Sequence, residues 1–120
     1  MPRTRVGRLW KAFLNTLAGL DWAVRHERAV QEECLVLAAG VPLSFVFAVN
    51  VGWWLALIGS LLLLLIVELL NTAVEKLSDH VTPEHHLGIK VVKDLGSAAV
   101  FCALVLAVLV WAAGLWVRFG

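Results

Sequence analysis

Three apolar stretches constrain this chain more than anything else in it. Residues 34–49, 51–67 and 97–117 each approach the ~20 residues that a helix needs to cross ~30 Å of hydrocarbon. Of the 120 residues, 61% are hydrophobic, against roughly 45–50% in an ordinary soluble domain. The remainder is too short for a separate soluble unit. The expected fold is therefore an all-α membrane protein, residues 1–120 forming one membrane domain, with its chemistry in or beside the bilayer.

Net charge is only +1, but its distribution is informative. Arg3, Arg5, Arg8, Lys11, Arg25 and Arg28 precede the first span, whereas the connection around Asn50–Gly52 carries no charge. Lys76, Lys90 and Lys93 lie between spans two and three, and Arg118 alone follows the third. The positive-inside rule then puts the N-terminus and the 76–94 segment in the cytoplasm and the C-terminus outside. No compact apolar core with a cleavage site follows the N-terminal arginines, so no signal peptide is expected. Nothing points to nucleic acid as a partner. Cys34 and Cys102 fall in predicted spans without ligand spacing, which suits packing residues and no disulfide.

Residues 4–20 read as an amphipathic helix. Val6, Leu9, Trp10, Phe13, Leu14, Leu17 and Leu20 recur at three- and four-residue spacing, with Arg5, Arg8 and Lys11 mainly opposite. A basic helix with such a face lies flat in a membrane interface. Gly19 and Asp21 suggest a stop and a fresh N-cap. Pro42 is expected to kink the first span, Thr82–Pro83 to break the second helix, and the last helix to begin between Ile89 and Asp94. The six tryptophans fit interfacial belts as generic anchors: Trp10 and Trp22 inside, Trp53 and Trp54 outside, Trp111 and Trp116 in the outer half of span three. Gly96, Ala99, Ala103, Ala107 and Gly114 form a small-residue stripe that permits close helix approach, and three thin helices enclose so little that an oligomer is expected.

The candidate chemistry follows directly on the second apolar run. Glu68, Asn71, Glu75 and Asp79 fall within about 60° of Glu68 on a helix at 100° per residue. A charge in or near hydrocarbon costs roughly 2.5–3.5 kcal/mol, so such groups face protein, metal or substrate. A solvated helix end with coincidental acids is the plain alternative, and it suits Asp79 best. Glu27 lies two turns before Cys34, at a depth similar to Glu75. Carboxylates from two helices at one depth repel unless a cation lies between them, and Mg²⁺ uses one or two carboxylates plus substrate phosphates. Glu32 and Glu33 could serve the same end, or simply be solvated. Lys93 and Asp94 stand ahead of Gly96 and Ser97, where a lysine could meet phosphate and a glycine allows close approach. His85 and His86 read as loop residues. None of the usual nucleotide-loop, kinase, hydrolase or zinc-protease motifs is present.

The run Glu68-Leu-Leu-Asn71-Thr72-Ala-Val74-Glu75, followed four residues later by Asp79, resembles the signature of the prokaryotic diacylglycerol kinase family. The block Lys93-Asp94-Leu95-Gly96-Ser97-Ala98-Ala99-Val100 resembles its second motif. Glu27 followed by Gln31, Glu32 and Glu33 is similar to its acidic N-terminal stretch. The resemblance implies a homotrimeric lipid kinase of the bacterial inner membrane that moves the γ-phosphoryl group of MgATP onto diacylglycerol. It implies Glu68 as base and Glu27 and Glu75 as Mg²⁺ ligands. Lys93, Asn71, Asp79, Asp94 and Arg8 would serve nucleotide and phosphate, with Glu33 and Ser97 on the substrate side or in support. Ser78 stands where valine is usual, and Gln31 where many members carry arginine. The rivals are an undecaprenol kinase and, from another class, a small multidrug-type transporter. A transporter would hold its acid near the bilayer midplane, whereas Glu68 ends its span.

Overall fold

The computed structural model describes residues 4–82 and 86–120, and the described residues form four helices: α1 (Arg5–His26), α2 (Arg28–Phe47), α3 (Val51–Val81) and α4 (Leu87–Phe119). Among the described residues there is no strand. Helices α2, α3 and α4 are each long and apolar enough to cross a membrane. They pack side by side with α3 in the middle, α2 touching α4 only lightly. The molecule measures 51 × 43 × 23 Å, broad and thin.

Local chemistry sets the helix ends. Thr4 caps α1 by accepting from the Gly7 amide at 3.0 Å. The helix then runs through Gly19, since an open helical glycine costs only about 1 kcal/mol and Asp21 pairs with Arg25 at 2.9 Å instead of starting a new helix. The break comes at Glu27, whose extended backbone (φ −117°, ψ 114°) is at once the C-cap of α1 and the N-cap of α2. Gln31 bridges this break, its amide donating to the Val24 carbonyl at 2.7 Å. The uncharged residue at that position thus satisfies a carbonyl of the last turn of α1.

Pro42 sits inside α2 without ending it. Asn50 caps α3 through the Trp53 amide at 2.9 Å. Thr82 ends it in an extended conformation (φ −155°, ψ 123°), as the residue before a proline should. Pro83 and His85 lie outside the described residues. His86 is an N-cap, accepting from the Gly88 amide at 3.0 Å, so α4 begins at Leu87, earlier than expected.

The small-residue stripe works differently from the expectation. Ala103 and Ala107 are 7% and 5% exposed, and Gly114 is buried, all within one chain. A Cβ on Gly114 would stand 3.0 Å from Leu57 Cδ2, and one on Gly96 would collide with the Asn71 amide. Ala103, Ala107 and Gly114 therefore let α4 lie close on α3 of the same chain, whereas Ala99 of the same stripe is exposed. Meanwhile Phe45, Leu55, Ile66, Phe101 and Leu109 remain exposed on the outer surfaces, as suits helices bathed in lipid.

Candidate active site

The buried interior changes character along α3. Its N-terminal half contributes Leu57, Ser60, Leu61 and Leu64, and its C-terminal half contributes Glu68, Asn71, Thr72 and Ser78. Glu68 is 8% exposed. Thr72 stands one turn further on, and the charges of Glu75 and Glu27 act on Glu68. The charges of Glu68 and Glu32 act in turn on Glu33. Around Glu68 the chain thus gathers Glu27, Glu33 and Glu75 within electrostatic reach, a loose acidic cluster.

Two atoms of this cluster are buried without a hydrogen-bond partner: Glu33 Oε2 and Asn71 Oδ1. The other end of the Asn71 amide donates to Glu75 Oε1 at 3.2 Å, fixing that carboxylate one turn further on. Among the described residues, no three His, Cys, Asp or Glu side chains form a ready metal cage. Among the described carboxylates only Glu33 has a buried oxygen without a partner, so a hard cation here would draw most of its ligands from phosphate oxygens and water.

Glu27 has a partner that the sequence reading overlooked. Lys76 Nζ lies 3.1 Å from Glu27 Oε1 and 5.5 Å from the centre of the Trp22 ring, which itself stacks on His26 at 4.5 Å. Lys76 sits 80° off the acidic stripe, so periodicity alone gave no reason to include it.

Lys93 and Asp79 meet where the C-terminal part of α3 passes the start of α4, Nζ to Oδ1 at 2.7 Å. The α3 stretch beyond residue 68 extends past the apolar run, and the hydrogen bond from Lys93 holds the Asp79 carboxyl below the usual carboxylate range. Asp94 pairs with Lys90 at 2.6 Å. Ser97 is exposed beside Gly96. Arg8 is exposed on the first turn of α1, and among the described residues it makes no ion pair.

An apolar groove of about 610 Å³ opens between α2, α3 and α4. Glu33 and Glu68 stand at one end, Leu43, Leu61 and Leu104 along its walls, and Trp111 at the other end. A second groove of about 700 Å³ between α1 and α3 is lined by Leu20, Leu69, Ala73 and Lys76 and contains no carboxylate.

The sequence model described as prokaryotic diacylglycerol kinase matches residues 14–115. The chain belongs to the prokaryotic diacylglycerol kinase family. It is 39% identical to the diacylglycerol kinase of Pseudomonas aeruginosa over 110 residues, covering 92% of this chain and 89% of the relative. With the diacylglycerol kinase of Escherichia coli strain K12 it shares 35% identity over 113 residues, 94% and 93% of the two chains. The undecaprenol kinase of Bacillus subtilis is 32% identical over 101 residues, 82% and 80%. Membership in this kinase family bears out the resemblance carried by the two sequence blocks.

Proposed function

We propose that this chain is an ATP-dependent lipid kinase that converts diacylglycerol to phosphatidic acid at the cytoplasmic face of the bacterial inner membrane. The observation that carries this reading is the placement of Glu68, a buried carboxylate at the polar end of an apolar groove. A lipid entering from the bilayer would lay an acyl chain along the groove and bring its hydroxyl to Glu68. The hydroxyl oxygen attacks the γ-phosphorus as its proton passes to Glu68, the bond from that phosphorus to the bridging oxygen breaks, and ADP leaves.

Mg²⁺ would be held by Glu27 and Glu75 and would supply neutralisation of phosphate charge. Asn71 holds Glu75 in place for that role, and Glu27 keeps a second oxygen beside the one that faces Lys76. Lys93 spends one of three N–H donors on Asp79 and keeps two for phosphate. Asp79 and Asp94 orient Lys93 and Lys90, while Glu33 and Ser97 border the lipid side. Arg8 has only the family resemblance in its favour.

The N-terminus is cytoplasmic, α1 lies in the interface with its apolar face on lipid, and three crossings take the C-terminus outside. We further propose a homotrimer that shields the acidic edge through lipid-facing surfaces of the spans, since Ala103 and Ala107 are already occupied. Incubating purified protein with labelled ATP and a lipid panel tests the activity. Labelled phosphatidic acid is expected, and failure to label any diacylglycerol would reject the assignment. The relative from Bacillus subtilis makes undecaprenol the alternative acceptor in that panel.

A further inference from the structure

We propose that Trp111 is the floor of the lipid groove and sets the acyl-chain length that the enzyme accepts. This rests on the lipid-kinase reading above. The groove begins at Glu33 and Glu68 and ends on Trp111. The ring is fixed from three sides. Carried on α4, it donates Nε1–H to the Leu57 carbonyl of α3 at 3.1 Å, an oxygen that also accepts from Ser60 Oγ at 2.9 Å. On α2, its Cζ2 and Cη2 atoms lie 3.6 and 3.8 Å from where a Cβ of Gly40 would stand. Gly40 is buried, and any side chain there would collide with Leu61 on the groove wall.

An interfacial anchor needs neither a hydrogen bond to a neighbouring helix nor a glycine seat. Both features are explained if the ring closes the groove. Leu57 lies eleven residues from Glu68 on α3, about 16 Å at 1.5 Å per residue. That is close to half of the ~30 Å hydrocarbon thickness. A chain whose hydroxyl end reaches Glu68 therefore runs one leaflet's depth before it meets the indole. A shorter chain leaves apolar wall uncovered, and a longer one must bend out of the groove. Each methylene that gains or loses burial should change kcat/KM about four-fold.

The test measures kcat and KM separately on a series of saturated 1,2-diacylglycerols, from dihexanoyl to distearoyl, and on undecaprenol. Parent, W111F and W111A proteins are compared in mixed micelles, with light scattering and circular dichroism to confirm assembly and fold. W111A should move the kcat/KM maximum to longer chains, chiefly through KM. W111F keeps an aromatic plug and should hold the maximum where it is. Where W111A fails to fold, W111L carries the same expectation. A profile that does not move in the small variant, or one lowered by the same factor at every length, overturns the proposal while leaving the kinase reading intact. A parent that phosphorylates undecaprenol and no diacylglycerol overturns both.

Discussion

Glu68 and its neighbours divide the work of one site among residues that differ in how tightly they are held. Glu68 is buried, Glu75 is steadied by Asn71, and Glu27 faces Lys76. Glu68→Gln keeps size and hydrogen bonding but removes the proton acceptor. Turnover should drop by about 10²–10⁴-fold with fold and assembly unchanged, and near-parental turnover would remove Glu68 from the role of base. Glu27→Ala and Glu75→Ala should each weaken Mg²⁺-dependent nucleotide binding, because each takes away an anionic oxygen. Titration calorimetry with MgATP would show it, and unchanged affinity in both would move the metal elsewhere. The acidic residues were legible in the sequence because a helix repeats its faces at fixed angles. Lys76 was not, because its link to Glu27 depends on how α1 turns into α2, which no periodicity encodes.

At the scale of elements, the helices follow from apolar length and capping residues, and their ends lie within a few residues of where Asn50 and Thr82 place them. Two misjudgements have physical causes. Gly19 was read as a stop, yet one open glycine is too weak a penalty to end a helix that continues to gain contacts. Ala103 and Ala107 were read as a surface for a second copy, but small residues signal close approach without saying which helix approaches. Ala103→Leu should therefore first disturb packing of α4 on α3 within the chain, at about 1–3 kcal/mol for overpacking. Denaturant unfolding in detergent should show lost stability even where protomers are separated. A variant that loses assembly while its unfolding midpoint stays put would restore the original reading. Trp111 escaped in the same way, since an inward-facing tryptophan and a belt tryptophan look alike in sequence.

The whole molecule is a thin slab with acidic residues gathered around Glu68, and its sidedness is open to direct measurement. A cysteine at position 83 should react with an impermeant thiol reagent only after the cytoplasmic side is opened, whereas one at Gly120 should react in intact cells. The opposite pattern would separate the carboxylates from ATP. Assembly as a trimer should appear in cross-linking and light scattering, and a fully active monomer would argue against it.

The single-residue break at Glu27 couples two things that most enzymes keep apart. The backbone that turns the surface helix into the first span belongs to the residue whose carboxylate faces Lys76. Any tilt of α1 is therefore a rotation about a fulcrum at a carboxylate of the proposed metal site. A helix lying among headgroups tilts when their lateral packing changes, so turnover in vesicles should respond to headgroup crowding at constant substrate fraction, and a flat response would decouple the lever from the site. Headgroup crowding around α1 and the placement of a proposed metal-binding carboxylate then become one mechanical coordinate.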